Sequence, residues 1–292
     1  MNTEMAYLVG LVLGNGEIQQ GKTETTITVD IPYKNLYTDD NKDVAVYILA
    51  SIVNIRSIVE PLIGNSLKVT ETRHSTKITF QKPNTEYVIR ELLRIVGMGR
   101  HHTTMRMSHE VFIMTIEEKK ALLRGIADVT AYIRKSNIAF GQEGAHRVYI
   151  EVPANWYMVA DLANLLKDVD VPVHTIDFGH PNFRDSNLVK YNDGKRNYWK
   201  KEHQIKIFAN EFLPIGFNIR HKQASLEKYA EELLEFLDPV KTHKYYWEKN
   251  IRKIIKPIHP SENDPSLPIE IRGRHFDSWT ELANLIGYGK KC

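Results

Sequence analysis

Residues Ala6–Ile18, which read A-Y-L-V-G-L-V-L-G-N-G-E-I, decide how this chain folds. The stretch is apolar up to Leu13, carries Gly10 within it, and ends in a Gly-Asn-Gly sequence at residues 14–16. This pattern predicts an apolar helix with small residues on one face, a turn at the glycines and then a strand. Small residues at helical spacing allow two backbones to approach closely, so we expect this helix to pack against a similar one.

A second copy of this pattern lies at Leu122–Ile133, which reads L-L-R-G-I-A-D-V-T-A-Y-I. Gly125 follows Gly10 by 115 residues, so the repeat has the size of a domain. Either helix alone fits an ordinary buried helix that ends in a glycine cap. Two copies in equivalent places favour a pair of helices that pack face to face and bring their C-terminal turns together.

These two stretches resemble a known family. Leu8–Gly16 and Leu123–Ala131 resemble degenerate copies of the nonapeptide that names the LAGLIDADG homing endonucleases. In that family, the eighth residue of each motif is a carboxylate that holds a divalent metal at the helix interface. The matching residues here are Asn15 and Thr130, which are neutral. The resemblance therefore implies the fold and, with it, lost or weakened cleavage.

Two acidic residues lie close to these motif positions. Glu17 and Asp128 are within two residues of Asn15 and Thr130, and we expect both to point elsewhere. Mg²⁺ needs hard oxygen ligands, mostly carboxylates, to repay its dehydration. We therefore expect no metal site, and Mg²⁺ as the cofactor only if cleavage is retained through unusual ligands.

Bulk properties place the chain among ordinary globular proteins. It has 292 residues, of which 42% are hydrophobic and 26% charged, and its formal net charge is +3. The sequence predicts neither a membrane span nor a secretion signal. The single cysteine, Cys292, excludes an internal disulfide framework and a cysteine-based zinc site. We expect an intracellular protein (cytoplasmic, nucleoid-associated or organellar).

Both halves of the chain predict the element order αββαββα. In the first half, the elements predicted after the motif helix are strands 17–20 and 25–31, helix 43–63, strands 66–71 and 76–80, and helix 84–96. In the second half, the order is motif helix 115–128, strands 131–139 and 146–152, helix 155–167, strands 172–178 and 203–208, and helix 211–217. The prediction is an α+β fold of two pseudo-symmetric halves, each an antiparallel sheet saddle, with the motif helices packed at the interface. The domain bounds are 1–110, 111–237 and a basic tail at 238–292.

The outer faces of the predicted strands suggest a partner. Two-stranded β ribbons fit the major groove of DNA, and polar or basic side chains alternate with the core residues along most of these strands. The candidates for DNA contact are Lys22, Thr26, Thr28, Lys68, Arg73, Lys77, Arg134 and Arg147. A solvated sheet face normally mixes both charge signs, and Glu24, Asp30, Glu71 and Glu151 are acidic. Both interpretations remain open at this stage.

Residues Gly179–Lys201 form a long polar insertion before the last strand of the second half. Aromatic residues and asparagines are interleaved with its charges, and such a loop is either functional or disordered. The aromatics and an Asp-Gly turn favour an ordered hairpin extension. Its candidates for DNA contact are Arg184, Lys190, Lys195, Arg196, Lys200 and Lys201.

A second resemblance to the same endonucleases lies at Phe217–Leu226. It looks like the loop after the last core helix, in which a Lys-Gln pair precedes a C-terminal helix and a cation lines the catalytic pocket. The resemblance implies that Arg220 and Lys222 contact phosphate near the site. The helix itself is predicted at Leu226–Leu237.

The tail contains three different stretches. Lys241–Lys253 is basic and aromatic, residues 257–268 carry four prolines, and Asp277–Gly287 predicts a short amphipathic helix with a cap at Asp277 or Ser278. This helix resembles the small DNA-binding repeats attached to mobile-element nucleases. A structural tail that clasps the core is the alternative.

Three functions fit the sequence. The first is a monomeric double-stranded DNA-binding protein of the LAGLIDADG type with lost or weakened cleavage. The second is an active, site-specific, Mg²⁺-dependent DNA endonuclease. The third is an RNA-binding intron maturase, because some relatives with this fold act on intron RNA.

Overall fold

The structure is a computed structural model, and its described residues are 1–36, 38, 44–64, 67–97, 99–135, 146–153, 155–173, 175–177, 202–236, 269–271 and 274–276. Statements about the structure below concern these residues. They form two four-stranded antiparallel sheets, seven α-helices and one short hairpin.

The first half contains one sheet with its helices on the apolar face. Its elements are α1 (Thr3–Asn15), β1 (Gly16–Gln20), β2 (Glu24–Pro32), α2 (Val44–Ile63), β3 (Lys68–Glu71), β4 (Ser75–Pro83) and α3 (Tyr87–Ile95). The strands pair in the order β1-β2-β4-β3, all antiparallel. Along β2, Thr25, Ile27, Val29 and Ile31 are buried and the residues between them are not, because successive side chains of a strand point to opposite faces.

The second half repeats this order. Its elements are α4 (Ile116–Thr130), β5 (Ala131–Arg134), β6 (Arg147–Pro153), α5 (Trp156–Asp168), β7 (Thr175–Asp177), β8 (Glu202–Phe208) and α6 (Ala209–Phe212). The strand order β5-β6-β8-β7 is topologically the same as that of the first sheet. The predicted α+β class with two αββαββα halves is confirmed. A longer helix, α7 (Arg220–Phe236), and a hairpin of β9 (Ile269–Ile271) and β10 (Arg274–Phe276) follow.

The two motif helices form the centre of the core. In α1, every residue from Met5 to Gly14 is buried, and in α4 every residue from Gly125 to Thr130 is buried. A Cβ on Gly10 would lie 2.0 Å from the carbonyl oxygen of Leu122, and one on Gly125 would lie 2.2 Å from that of Tyr7. Backbone therefore touches backbone at this crossing, which only glycine permits.

Three predicted boundaries are wrong. There is no Gly-Asn-Gly turn after α1, because Asn15 is the last helical residue and Gly16 continues directly into β1. The helix α6 has only four residues and ends at Phe212. The helix α7 begins at Arg220 instead of Leu226, since the Gln223 side chain accepts a hydrogen bond from the Phe217 N–H (2.8 Å) and stabilises its first turn.

The segment between the halves, residues 99–114, is anchored on both sides. Ile18 N–H donates to Arg100 O (2.7 Å) and His102 N–H donates to Gly16 O (2.8 Å), so the segment pairs with the outer edge of β1. Asn155 Nδ2 donates to the carbonyls of His102 and Met105, which ties the same segment to the start of α5.

Helix α2 differs from the other helices in its composition. Ala45–Ile63 is long and apolar enough to cross a membrane by length and composition, with a mean hydropathy of 1.6. Its charged residues are Arg56 and Glu60, which pair with each other. One face of α2 packs into the core through Ile52, Ile55 and Val59, as a helix of a globular domain does.

Candidate nucleic-acid interface

The crossing of α1 and α4 brings the C-terminal ends of both helices together. A Cβ on Gly14 would lie 2.9 Å from Val129 Cγ2 and 3.2 Å from Thr130 Cγ2. Asn15 follows Gly14 directly, so the two motif positions end the two helices at the same crossing. The sequence repeat predicted this arrangement.

Neither motif position presents a charged group. The Asn15 Nδ2 donates to the carbonyl of Asp30 on β2 (2.7 Å), and the Thr130 hydroxyl donates to the carbonyl of Ile126 one turn back (2.7 Å). Thr130 is buried. Both side chains therefore donate hydrogen bonds to backbone carbonyls of their own half.

These residues do not fit the divalent metal that the resemblance implies. Magnesium takes oxygen ligands and is usually held by carboxylates, whereas Asn15 and Thr130 offer one amide oxygen and one engaged hydroxyl. Within the described residues, no group of three or more His, Cys, Asp or Glu side chains could hold a metal ion.

Asp128 lies two residues before Thr130, and its carboxylate faces α1 and the segment that precedes α7. It is fully buried, and its Oδ2 accepts hydrogen bonds from the Tyr7 hydroxyl (2.7 Å) and the Asn218 N–H (3.2 Å). Burial raises the pKa of the Asp128 carboxyl, and nearby Lys222 opposes this shift. Burial and the neighbouring Asp128 also raise the pKa of Tyr7 well above its ordinary value. Asp128 thus ties α1 to α4 and to the segment before α7.

Lys222 is fully buried and caps the C-terminal end of α4. Its Nζ donates to the carbonyl oxygens of Ala127 (3.1 Å), Asp128 (3.2 Å) and Ala131 (2.7 Å), and lies 4.4 Å from the centroid of the Phe217 ring. A cation at this end of a helix satisfies carbonyls that lack an intrahelical partner. Because all three N–H groups are engaged, contact with a phosphate would require their release. Its neighbour Arg220 is exposed, and the Arg220 N–H donates to Asn54 Oδ1 on α2 (3.0 Å).

Glu17 faces the open side of the first sheet. Its carboxylate accepts a hydrogen bond from Gln19 Nε2 (3.0 Å), and its Cα partner on β2 is Thr28. His102 lies close by, and burial lowers the pKa of this imidazole to about 4, with a further contribution from His101. The histidine is therefore neutral at physiological pH.

The open face of the first sheet carries short polar side chains in regular cross-strand rows. The register aligns Glu17, Thr28, Thr79 and Lys68 across the four strands, and Gln19, Thr26 and Gln81 in the next row. A third row contains Asp30, Lys77 and Thr70. These side chains are partly or fully exposed, as are Lys22 and Arg73 in the hairpin turns. The alternation predicted from the sequence places all the first-half candidates on this face or at its rim.

The corresponding face of the second sheet has a different chemistry and is partly covered, because Arg147, Glu151 and Gln204 on it are buried. The rings of Tyr132 and Tyr149, which face each other across β5 and β6, are stacked with their centroids 5.0 Å apart and 7° between their planes. Arg134 Cζ lies 4.7 Å from the Tyr132 centroid, and Lys206 Nζ lies 5.6 Å from the Tyr149 centroid. We call Arg134, Tyr132, Tyr149 and Lys206 the aromatic column. Its rings hold two cations in place by cation–π attraction.

Arg147, a predicted DNA contact, is largely covered. Only 9% of the residue is exposed, and its guanidinium lies over the Phe208 ring at 5.3 Å. Glu151 on the same strand is also buried and pairs with Lys34. Arg147 therefore differs from its neighbour Arg134, which is exposed.

Of the aromatic column, the sequence alone singled out only Arg134; it did not single out Tyr132, Tyr149 or Lys206, nor did it single out Tyr7. Tyr132, Tyr149 and Lys206 each alternate with core residues along their own strand. This alternation indicates that all three lie on the face of the sheet opposite the core. The partnership of Tyr7 with Asp128 spans 121 residues and has no local signal. The candidates Arg184, Lys190, Lys195, Arg196, Lys200 and Lys201 lie outside the described residues.

The chain is thus an α+β protein of two αββαββα halves joined at a pair of glycine-packed helices. No protein-family model and no curated protein matches it. Among solved structures, it is similar to the homing endonuclease I-DmoI in complex with DNA and Mn, at 11% identity and a TM-score of 0.39, over 76% of this chain and 96% of that one. It is also similar to full-length DUF199/WhiA from Thermatoga maritima, at 13% identity and a TM-score of 0.42, over 86% of this chain and 67% of that one. A mutant of I-SmaMI has 8% identity and a TM-score of 0.34, over 74% of this chain and 82% of that one.

Proposed function

We propose that this chain binds double-stranded DNA as a protein of the LAGLIDADG homing endonuclease type whose cleavage is lost or weakened. The observation that carries the proposal is the open face of the first sheet. It presents threonine, glutamine and lysine, together with Glu17 and Asp30, in cross-strand rows, and no helix among the described residues covers it. Such side chains donate to and accept from base edges, and a β ribbon fits the major groove.

The second sheet supports the same role in a different way. Its aromatic column positions the side chains of Arg134 and Lys206, and cations held in place lose less freedom when they contact a phosphate. We infer that the first sheet reads bases, and that the second contributes mainly phosphate contacts, which position a protein on the duplex without reading its sequence.

The ends of the motif helices support the proposal of lost or weakened cleavage. Hydrolysis of a phosphodiester in this type of enzyme needs a metal to activate water and to stabilise the leaving oxygen. Asn15 and Thr130 carry no charge and hydrogen-bond to backbone carbonyls. Two carboxylates side by side repel each other without a metal, so their replacement also favours the packed helix pair.

Binding is tested by selecting a duplex from a random library and measuring its affinity at several salt concentrations. Each lost phosphate contact should flatten the plot of log affinity against log salt by about 0.9. We expect this flattening when Lys68, Arg73 and Lys77 are replaced by alanine. The matched control replaces Lys120 and Lys167, on helices α4 and α5, and should leave the slope unchanged. An equal effect in both sets, or tighter binding to structured RNA than to the duplex, would contradict the proposal, and the RNA result would favour the maturase alternative.

Cleavage is tested on the selected duplex with Mg²⁺ or Mn²⁺. We expect no double-strand cutting by the unaltered chain, and cutting by the variant with both Asn15→Asp and Thr130→Asp. Robust cutting by the unaltered chain that Glu17→Gln abolishes would instead show an active endonuclease with unusual ligands. Asp128→Asn serves as a structural comparison, because the Asp128 carboxylate is buried and already accepts hydrogen bonds from Tyr7 and Asn218.

A further inference from the structure

Two glutamines on the open face of the first sheet are each held by a carboxylate. Gln19 Nε2 donates to Glu17 Oε1 (3.0 Å). Gln81 Nε2 donates to Glu24 Oε2 (2.7 Å). Both glutamines lie in one cross-strand row, on either side of Thr26. We call Gln19 with Glu17, and Gln81 with Glu24, the two glutamine pairs.

The carboxylate fixes the direction in which each amide points. An ionised carboxylate only accepts hydrogen bonds, whereas a glutamine amide has a donor end and an acceptor end. Turning the amide over would place its Oε1 against a carboxylate oxygen, and two acceptors repel each other. In each pair, the Nε2 end therefore faces the carboxylate and the Oε1 end faces away from it.

Each amide still offers one donor and one acceptor. Its Nε2 carries two N–H groups, of which one is engaged with the carboxylate. Gln19 and Gln81 are both exposed, so the second N–H and the Oε1 are accessible to a ligand. A neighbouring donor and acceptor match the major-groove edge of adenine, where N7 accepts and N6 donates. Guanine presents two acceptors at the same edge, N7 and O6.

The carboxylates themselves also discriminate between bases. Glu24 is exposed and Glu17 is partly exposed on the same face of the sheet. A carboxylate at a base edge accepts a hydrogen bond from an exocyclic amino group and repels the two guanine acceptors. The glutamine pairs therefore disfavour guanine twice, through the amide and through the charge.

We propose that the two glutamine pairs are adenine-reading sites, in which Gln19 and Gln81 contact the base edge while Glu17 and Glu24 position the amides. The inference rests on the DNA binding proposed above and adds the base that is read. Strand β2 lies between β1 and β4, so the two glutamines are about 10 Å apart and contact different bases. The bound duplex should therefore contain two adenines, each of which depends on a different glutamine.

The first test compares the duplexes that variants of the full chain select from a random library. We expect adenine at two positions with the unaltered chain. Gln19→Ala should remove the preference at one position and Gln81→Ala at the other. At the affected position, the ratio of affinities for adenine over guanine should fall by about 5- to 150-fold, the value of one good bidentate contact. Gln20→Ala is the matched control, because the side chain of Gln20 points to the opposite face of β1, and it should keep both adenines.

The second test separates positioning from charge. Glu17→Ala should raise the affinity for duplexes in general, since a negative charge near the phosphates is removed. It should also lower the preference at the Gln19 position by about 2- to 10-fold, because the free amide must be ordered on binding. In a chain that already carries Gln19→Ala, the same substitution should change no preference. Glu60→Ala on α2, which removes an exposed carboxylate that pairs with Arg56, is the control and should change none.

The possible failures can be told apart. If the unaltered chain selects no duplex, DNA binding fails and the adenine sites fail with it. If it selects a duplex but Gln19→Ala and Gln81→Ala keep every base preference, DNA binding stands and only the adenine sites are refuted. Guanine at the affected positions would refute them as well. A gain in affinity that is equal for all bases in Glu17→Ala would overturn the positioning role of the carboxylate.

Discussion

At the scale of single residues, two glycines and one buried lysine determine how the centre of the molecule is built. Gly10 and Gly125 let the backbones of α1 and α4 touch. Lys222 closes the C-terminal end of α4 by donating to three carbonyls. Each can be tested by a substitution that leaves the rest of the chain unchanged.

Alanine at Gly10 or Gly125 should destabilise the protein. The added Cβ would overlap the carbonyl of Leu122 or Tyr7, which are backbone atoms that cannot move aside alone. We expect a loss of about 1–3 kcal/mol or more in the free energy of unfolding, measured with urea. Gly14→Ala is the matched control and should cost less, because its closest atom is a side-chain methyl of Val129. Equal losses of unfolding free energy at all three sites would contradict a direct contact between the backbones of α1 and α4.

Lys222 should make stability depend on pH. Burial lowers its pKa from 10.5 to about 7, with Asp128 opposing the shift. Between pH 7 and 10, the unfolded chain therefore binds more protons at this site than the native one, and stability rises with pH. The slope is at most about 1.4 kcal/mol per pH unit. Above this window the raised pKa of Tyr7 acts in the opposite direction.

Urea unfolding at pH 7, 8 and 9 measures this effect. Lys222→Met is the control, since methionine keeps much of the side-chain length and cannot titrate. We expect the rise in stability in the unaltered chain and its absence in the variant. Parallel profiles for the two proteins would show that Lys222 is not responsible.

At the scale of elements, the sequence predicted most of the fold and little of the buried network. The alternation in β2 and the repeated glycine motif are local patterns, and both were confirmed. The sequence did not predict the start of α7 at Arg220, because residues 217–225 read as a loop. The first turn is stabilised by a hydrogen bond from the Phe217 N–H to the Gln223 side chain. Lys222 was predicted to contact phosphate, and its burial depends on α4, which is almost 100 residues away in the sequence. Pairings of this kind carry no periodic signal.

The two sheets should respond differently to the loss of an aromatic ring. Tyr149→Leu interrupts the aromatic column between Tyr132 and Lys206. We expect a loss of about 0.2–1 kcal/mol in stability, typical of a cross-strand pair, together with weaker binding to the selected duplex. Tyr157→Leu removes a similar cation–π contact with Arg106, on helix α5, and should leave DNA affinity unchanged. If the Tyr149→Leu variant bound the duplex with unaltered affinity, the aromatic column would not contribute to DNA binding.

At the scale of the whole molecule, each half depends on the other. Helix α1 is buried along most of its length against α4, so a separated half would expose this apolar surface to water. We therefore expect residues 1–98 alone to lack cooperative unfolding as a monomer, in circular dichroism melts. Co-expression with residues 99–292 should restore it. A monomeric, cooperatively folded fragment 1–98 would show instead that the predicted boundary near residue 110 separates independent domains.

The pairing of residues 100–102 with β1 has a consequence for solubility. A strand at the edge of a sheet offers unpaired N–H and C=O groups, which another chain can extend into an aggregate. At β1, the connecting segment already accepts a hydrogen bond from the Ile18 N–H and donates one to the Gly16 carbonyl. No further strand can therefore pair with this edge. Deleting or displacing residues 100–102 would release the edge. Linker variants designed to separate the halves should therefore aggregate through strand addition even where their cores remain intact.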